Sequence, residues 1–415
     1  MWVLKPFYGW TLARVLAVTC TLSYGILYYT FSVFTLPMEQ ELGWTRAQTS
    51  LGFSIALLVS GLLGPILGKH VDKKGARSLM TLGSLMGSVL VLLWANVQTI
   101  WQYFAVWTLM GVAWAAVFYE VAFTVIAHWF KQHRSRALLM ITLVAGLAST
   151  IFIPLSTWLL AHFSWRMSLQ VLSGILALGT ILPHLIFLRS FPCEVGQTVD
   201  GLPETLPSQP VLSSEKPSMV LRTATFWWLT VSFMFGAANS IALAAHMVPM
   251  LTERGYSPAL ISTAAALVGF MSLPGRAIFT PLSDEKVSSL NLTVVTLSAQ
   301  ALAFLSLLVL PGQLGLWLFV GLFGLSNGAL TLARAKLIAD TFGTSNYGFI
   351  SGAMNLWASL AKAFFPVLMG LLYLRFHGYG PVLISLSVLS VLSIFSVWQA
   401  GRFHPHANSS RTQNT

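Results

Sequence analysis

Long apolar runs, separated by short polar or turn-forming stretches, make up almost the whole chain. Twelve such runs lie near 11–36, 45–68, 77–97, 100–128, 136–161, 166–189, 224–250, 258–282, 287–310, 314–338, 347–374 and 380–400. A helix needs about 20 apolar residues to cross the hydrocarbon of a bilayer, so the pattern predicts twelve spanning helices. Strands of a membrane barrel would be about ten residues long with strict alternation; these runs are too long and too evenly apolar. Glu39-Gln40-Glu41, Asp72-Lys73-Lys74-Gly75, Lys131-Gln132-His133-Arg134, Glu253-Arg254-Gly255 and Pro311-Gly312 mark breaks between them.

One stretch has a different texture. From about Ser190 to Thr223 the chain carries Pro192, Pro203, Pro207, Pro210 and Pro217 together with Glu194, Asp200, Glu204 and Glu215. That composition reads as a flexible linker. It divides the chain into a six-helix bundle over 1–190, a linker over 191–223, a second six-helix bundle over 224–400 and a polar tail over 401–415. The halves also match at a constant offset of 212 residues, which pairs Asp72 with Asp284, Phe130 with Phe342 and Pro154 with Pro366. A parallel repeat of two such bundles implies a binding site between them, near mid-bilayer.

Composition closes off the alternatives. Of 415 residues 56% are hydrophobic and 8% charged, against about 25% charged in a soluble domain. With a mean hydropathy of +0.75, neither a soluble globule nor a disordered chain fits. Two cysteines exclude a disulfide scaffold. The net charge of +11 would suggest nucleic acid in a soluble protein, but here the basic residues sit in short loops and form no solvated basic face. If the N-terminus is cytoplasmic, 16 of the 23 Lys and Arg fall inside; four, Arg46, Arg166, Arg254 and Arg375, fall outside; and Arg14, Arg276 and Lys362 lie within spans. That bias predicts both termini on the cytoplasmic side. The first apolar run exceeds a signal-peptide core and lacks a small-residue cleavage site, so it reads as a retained span.

The loop after the second run reads Gly68-Lys69-His70-Val71-Asp72-Lys73-Lys74-Gly75-Ala76-Arg77. Gly68 and Gly75 permit a tight turn and close helix approach, and Asp72 is placed to accept from basic groups or to face a helix N-terminus. The loop resembles the signature of the major facilitator superfamily, matched at Gly68, Asp72, Lys73, Gly75 and Arg77, with a weaker echo, Pro281-Leu282-Ser283-Asp284-Glu285-Lys286, after the eighth run. Tyr8-Gly9-Trp10, the run Trp129-Phe130-Lys131-Gln132-His133-Arg134-Ser135-Arg136-Ala137-Leu138 and Gly146 are similar to the monocarboxylate porter and oxalate/formate antiporter-like group. The resemblance implies an all-α membrane fold of two six-helix bundles. It also implies secondary transport by alternating access, and an inner gate whose loop contacts break and re-form. In monocarboxylate porters an Asp stands four residues before the Arg of the eighth span; here Ser272 precedes Arg276, which departs from lactate-type proton coupling.

Charges inside spans are costly, at least about 2.5 kcal/mol each, and mark function by default. Asn355, Ser359, Lys362 and Pro366 recur at helical spacing and share one face of the eleventh run. That face reads as cavity-lining, with Lys362 binding an anion or pairing with an acid. Arg276 offers a planar fork suited to a carboxylate, against snorkelling or a gate salt bridge. By resemblance, Arg276 and Lys362 occupy positions like the Arg and Lys with which oxalate/formate antiporter-like proteins hold a dianion. Glu120, the acid well inside a span, is a candidate for proton coupling or for a fixed ion pair. Tyr28, Asn239 and Asn327 are candidate cavity groups that could equally bond between helices. His246 lies near the outer end of the seventh run and reads as a solvated vestibule residue, with titration as the alternative.

Neither a phosphate-cradling loop, a catalytic set nor a metal cluster appears in the sequence. The expectation is a non-enzymatic, cofactor-free, monomeric transporter of a small organic anion, a mono- or dicarboxylate, with a co-transported or exchanged ion. By resemblance it would sit as a multi-pass protein in a bacterial inner membrane. The competing expectation is an exporter of hydrophobic or cationic compounds, in which Glu120 attracts the cation and aromatic rings grip it.

Overall fold

The computed structural model describes residues 6–202, 217–284 and 287–403, with the side chains of Pro217, Ser218 and Asp284 excepted. Residues 203–216 of the expected linker and the tail beyond 403 lie outside the described residues. Every regular element among those described is helical. The first six spans are α1 (Tyr8–Leu42), α2 (Arg46–Lys74), α3 (Arg77–Trp94), α4 (Ile100–Trp129), α5 (Arg134–His162) and α6 (Trp165–Phe187). The second six are α7 (Ala224–Glu253), α8 (Pro258–Asp284), α9 (Ser289–Val309), α10 (Gly312–Phe342), α11 (Tyr347–Phe376) and α12 (Gly380–Arg402). All twelve are long and apolar enough to cross a membrane.

The helix ends depart from the sequence pattern at two places. Glu39-Gln40-Glu41 does not break the chain but forms the last turn of α1, which stops at Gly43 in the left-handed region. Asp72-Lys73-Lys74 likewise closes α2, and Gly75, with φ +82°, makes the turn. Polar residues at these ends find partners instead of ending the helix. Glu39 accepts from Thr49 Oγ1 at 2.5 Å and pairs with Arg46 at 3.2 Å. Glu41 accepts from Trp165 Nε1 at 2.6 Å and from both Nε and Nη2 of Arg166, while Arg166 Nη1 reaches the Ala95 and Val97 carbonyls.

Breaks inside spans are the other departure. α1 opens into a π-helical stretch over Tyr24–Tyr29, and α6 into another over Ala177–Ile181. α4 is interrupted at Phe118, whose extended backbone ends one helix at Val117 and starts the next at Tyr119. α5 is interrupted at Gly146-Leu147.

The chain divides into two compact units, Met1–Ser214 with Thr344–Leu356, and Glu215–Gly343 with Trp357–Thr415. The start of α11 therefore belongs to the first unit and the rest of it to the second. Within each unit the same neighbours recur: second helix on fourth, third on fourth, third on sixth and first on sixth. In the first unit Gly111 lies against the Ala56 backbone; in the second, Gly328 lies against the Ser272 backbone and Gly324 against Met271. The core of the first unit is aromatic, built on Trp94, Tyr103, Trp107 and Trp114; that of the second is built on Phe304, Phe319, Phe323 and Leu383. Large apolar side chains such as Leu178 (72% exposed) and Val295 (65%) point outward, which water would not tolerate across so many helices and lipid does.

The first part of the expected linker is folded. Residues 192–195 and 199–201 form short 3-10 turns. Asp200 accepts from the backbone N–H groups of Lys131 (3.0 Å), Gln132 (2.8 Å) and His133 (3.4 Å). Gln197 accepts from Tyr8 N–H and donates to the Pro6 carbonyl. Trp129 Nε1 donates to the Arg189 carbonyl. Proline and acid content predicted flexibility there; the acids instead accept from loop backbone and N-terminal helix turns, so 189–202 is a strap across the first unit.

Candidate functional site

In the first unit the C-terminal end of α2 crosses the N-terminal end of α11 with backbone against backbone. Gly64 and Gly68 on α2 meet Gly352 and Gly348 on α11: a Cβ on Gly348 would lie 2.6 Å from the Gly68 carbonyl oxygen, and one on Gly64 3.0 Å from that of Gly352. Two Gly-x-x-x-Gly pairs thus interlock, the spacing that lets helices approach closely in a membrane. That approach brings Asp72 to the start of α11. Its carboxylate oxygens accept from Gly348 N–H (2.9 Å) and Phe349 N–H (2.8 Å), amides that have no partner within their own helix. The positive end of the helix dipole favours the carboxylate there.

His128, at the end of α4, adds a group that in the sequence only flanks the basic loop and does not read as a zinc ligand. Its Nε2 is 3.6 Å from Asp72 Oδ1, both side chains are buried, and its ring stacks on Phe191 of the strap. Around the same turn, Ala76 N–H donates to Ser190 Oγ at 2.7 Å and Arg77 Nε to the Leu185 carbonyl at 2.9 Å. Gly68, Asp72, Gly75 and Arg77 are thus gathered, each with a separate contact. Lys73 is exposed at the surface. The expectation on Asp284 falls on a side chain outside the described residues.

The break at Phe118 positions Glu120. Because the helix restarts at Tyr119, Glu120 stands in the first turn of a half-helix, where a carboxylate is favoured by the dipole. Ser351 Oγ donates to its Oε2 at 2.6 Å, so Glu120 is joined to the same start of α11 that Asp72 holds. The surroundings are aromatic: Tyr24 stacks on Phe118 at 4.0 Å and lies 4.6 Å from Tyr119. Tyr28, in the π turn of α1, packs on Phe53 and Trp114. Asn355 is half-buried in the same unit.

The second unit holds the cations. Arg276 and Lys362 are half-buried on α8 and α11, and Ser359, one turn before Lys362, is buried. Asn239 needs correction as a cavity group: it is fully buried, and its Nδ2 donates to Ser390 Oγ at 2.8 Å and the Leu386 carbonyl at 3.3 Å, tying α7 to α12. Asn327 Oδ1 accepts from Ser240 Oγ at 2.8 Å, tying α10 to α7. Both amides bond between helices, as polar side chains do where no water competes.

A family model described as Major Facilitator Superfamily matches residues 16–366. The chain belongs to the Major Facilitator Superfamily. Monocarboxylate transporter 13 of Bos taurus is 24% identical, over 89% of this chain and 83% of that protein. The oxalate:formate antiporter of Oxalobacter formigenes is 22% identical, over 84% of this chain and 81% of its own length. Multidrug resistance protein MdtG of Escherichia fergusonii is 24% identical, over 88% of each. Among solved structures, the Escherichia coli fucose:proton symporter FucP shares the fold with a TM-score of 0.72 at 12% identity, covering 95% of this chain and 99% of that one.

As a member of this superfamily the protein is a multi-pass membrane transporter and not an enzyme. The crossing of α2 and α11 is held by backbone contact and two hydrogen bonds that a small separation would break together. Gly64, Gly348 and Gly352 escaped sequence reading although their four-residue spacing was visible. His128 left no such signal, since its link to Asp72 joins positions far apart in the chain.

Proposed function

We propose that this transporter carries a small organic anion, a mono- or dicarboxylate, by alternating access, coupled to protons or by exchange. The observation that carries this reading is the pair of cations inside spans of one unit: Arg276 on α8 and Lys362 on α11, with Ser359 and Asn355 on the face of Lys362. Intramembrane cations are retained where they meet an anion or line its path, and guanidinium and ammonium together supply a fork and a point charge to a carboxylate. The likeness to a monocarboxylate transporter and an oxalate:formate antiporter supports it. Asp72, Gly68, Gly75 and Arg77 serve the gate, and the protein works as a monomer in a bacterial inner membrane with both termini in the cytoplasm.

The test is uptake of labelled mono- and dicarboxylates into proteoliposomes, with and without a pH gradient. Saturable uptake of at least one carboxylate is expected; none across the panel removes the reading. Glu120 is the proposed proton site. Glu120→Gln is expected to bring pH-driven accumulation down to the level of protein-free vesicles while anion exchange persists. Accumulation at the wild-type level would exclude Glu120.

Export of hydrophobic or cationic compounds is the second reading. It is favoured by a carboxylate set beside Phe118, Tyr119 and Tyr24, since aromatic faces attract cations, and by the likeness to a multidrug resistance protein. Efflux of a lipophilic cation, with no carboxylate uptake, would select it.

A further inference from the structure

His246 lies in the last third of α7. Its Nε2 is 2.9 Å from the carbonyl oxygen of Pro366, and its Nδ1 is 3.3 Å from the Tyr379 hydroxyl. A carbonyl oxygen only accepts, so Nε2 carries the hydrogen. In the neutral ring Nδ1 then accepts, and the Tyr379 hydroxyl donates to it. Burial, followed by the neighbouring Tyr373 and Glu253, raises the Tyr379 phenol above its ordinary value, so its O–H remains available. The Tyr379 N–H is held in turn by Glu253 Oε1 at 3.0 Å. Room for the imidazole is left on α11 by Gly370, where a Cβ would come within 3.7 Å of His246 Cε1. All these residues belong to the second unit.

Pro366 is a consequential place to hold. Proline has no N–H, so α11 lacks the backbone rung from residue 366 back to residue 362, and the proline ring presses on that preceding turn. Helices bend at such positions. The turn that carries Lys362 is therefore the one that α11 itself constrains least. A hydrogen bond from another helix to the Pro366 carbonyl supplies constraint from outside.

We propose that His246 is a positioning residue for Lys362: by fastening the Pro366 carbonyl to α7 it fixes the bend of α11 and so the direction from which the ammonium meets the anion. The inference rests on the organic-anion reading above. The titratable groups around the imidazole are Tyr379, backed by Tyr373, and Glu253 on α7 itself, while Lys362 stands one turn back along α11 from Pro366. Because Nε2–H donates in both the neutral and the protonated ring, the positioning does not depend on pH.

Two variants and two readouts test it. In carboxylate uptake, His246→Ala is expected to raise KM about tenfold with little change in kcat, the equivalent of roughly one hydrogen bond to a half-buried carbonyl. His246→Gln, whose amide N–H can replace Nε2–H, is expected to restore KM and the wild-type pH profile. The second readout needs no substrate: in a chain with Cys20→Ser, Cys193→Ser and Lys362→Cys, the labelling rate of the introduced thiol by a small methanethiosulfonate reagent is measured. Adding His246→Ala should change that rate by about fivefold or more, on the same hydrogen-bond scale, and adding His246→Gln should not. An unchanged labelling rate in the alanine variant overturns the proposal. So does a glutamine variant that behaves like alanine, or one that loses pH-driven accumulation, because the imidazole proton would then be what matters. If the wild-type protein takes up no carboxylate, the organic-anion reading fails, and the labelling experiment alone decides whether His246 positions residue 362.

Discussion

Gly68→Leu is expected to abolish transport while the protein still reaches the membrane and remains folded. Any Cβ at residue 68 overlaps the Gly348 carbonyl and crowds Phe349 N, and these are backbone atoms that no rotamer change can move aside. α2 must then withdraw from α11, and Asp72 leaves the amides of Gly348 and Phe349. Each of those hydrogen bonds has a charged acceptor and is worth about 1.5–3 kcal/mol. Losing both removes roughly 3–6 kcal/mol from the joined arrangement, and about 5.5 kcal/mol suffices to turn a 99:1 equilibrium into 1:99. The arrangement in which the two helices touch would thus disappear from the cycle. The distance between spin labels placed at the exposed residues Lys73 and Ser345, which flank the crossing, compared with and without Gly68→Leu, reads the separation directly, and uptake reads its effect. Wild-type uptake by the leucine variant would mean that the crossing plays no part in the cycle.

Lys362→Gln is expected to reduce carboxylate uptake by two orders of magnitude or more. Glutamine keeps most of the length and a hydrogen-bond donor but removes the charge. Truncating one partner of a desolvated charge pair costs about 2–5 kcal/mol, or roughly 30- to several-thousand-fold in binding. The loss should exceed that from Ser359→Ala, which removes only a neutral hydroxyl on the same face. Size-exclusion profile and thermal midpoint in detergent establish that the variant is folded. Full uptake by folded Lys362→Gln would take the ammonium out of the substrate site and, with it, the main support for an anion.

Reading the chain by hydrophobicity recovers all twelve spans, because crossing a bilayer imposes a length and a composition on every segment that does so. It does not recover how spans end. Glu39, Glu41 and Asp72 look like loop residues in one dimension, and only the partners they meet across the fold, Thr49, Arg166 and the start of α11, make the last helical turns tenable. Nor does it recover interruptions. Phe118 departs locally within apolar sequence where neither glycine nor proline announces it, and the single Gly25 inside the π turn at Tyr24–Tyr29 does not distinguish that turn from ordinary helix. The candidate site divides in the same way. Asp72 and Gly68 were legible from a short motif whose chemistry is local. Asn239 was ambiguous because an amide in an apolar helix can face a cavity or a neighbour, and the deciding partner, Ser390, stands 151 residues away. The strap was misread because proline and acidic content describes a stretch by itself, whereas Asp200 draws its order from the N–H groups of residues 131–133.

That strap has a bearing on how the protein could be lengthened or tagged. A single short peptide fastens the entry to the first helix, the turn between the second and third, and the turn between the fourth and fifth. Foreign sequence spliced in near Gln197 or Asp200 would unbutton all three together, so an added domain has no place between Arg189 and Leu202.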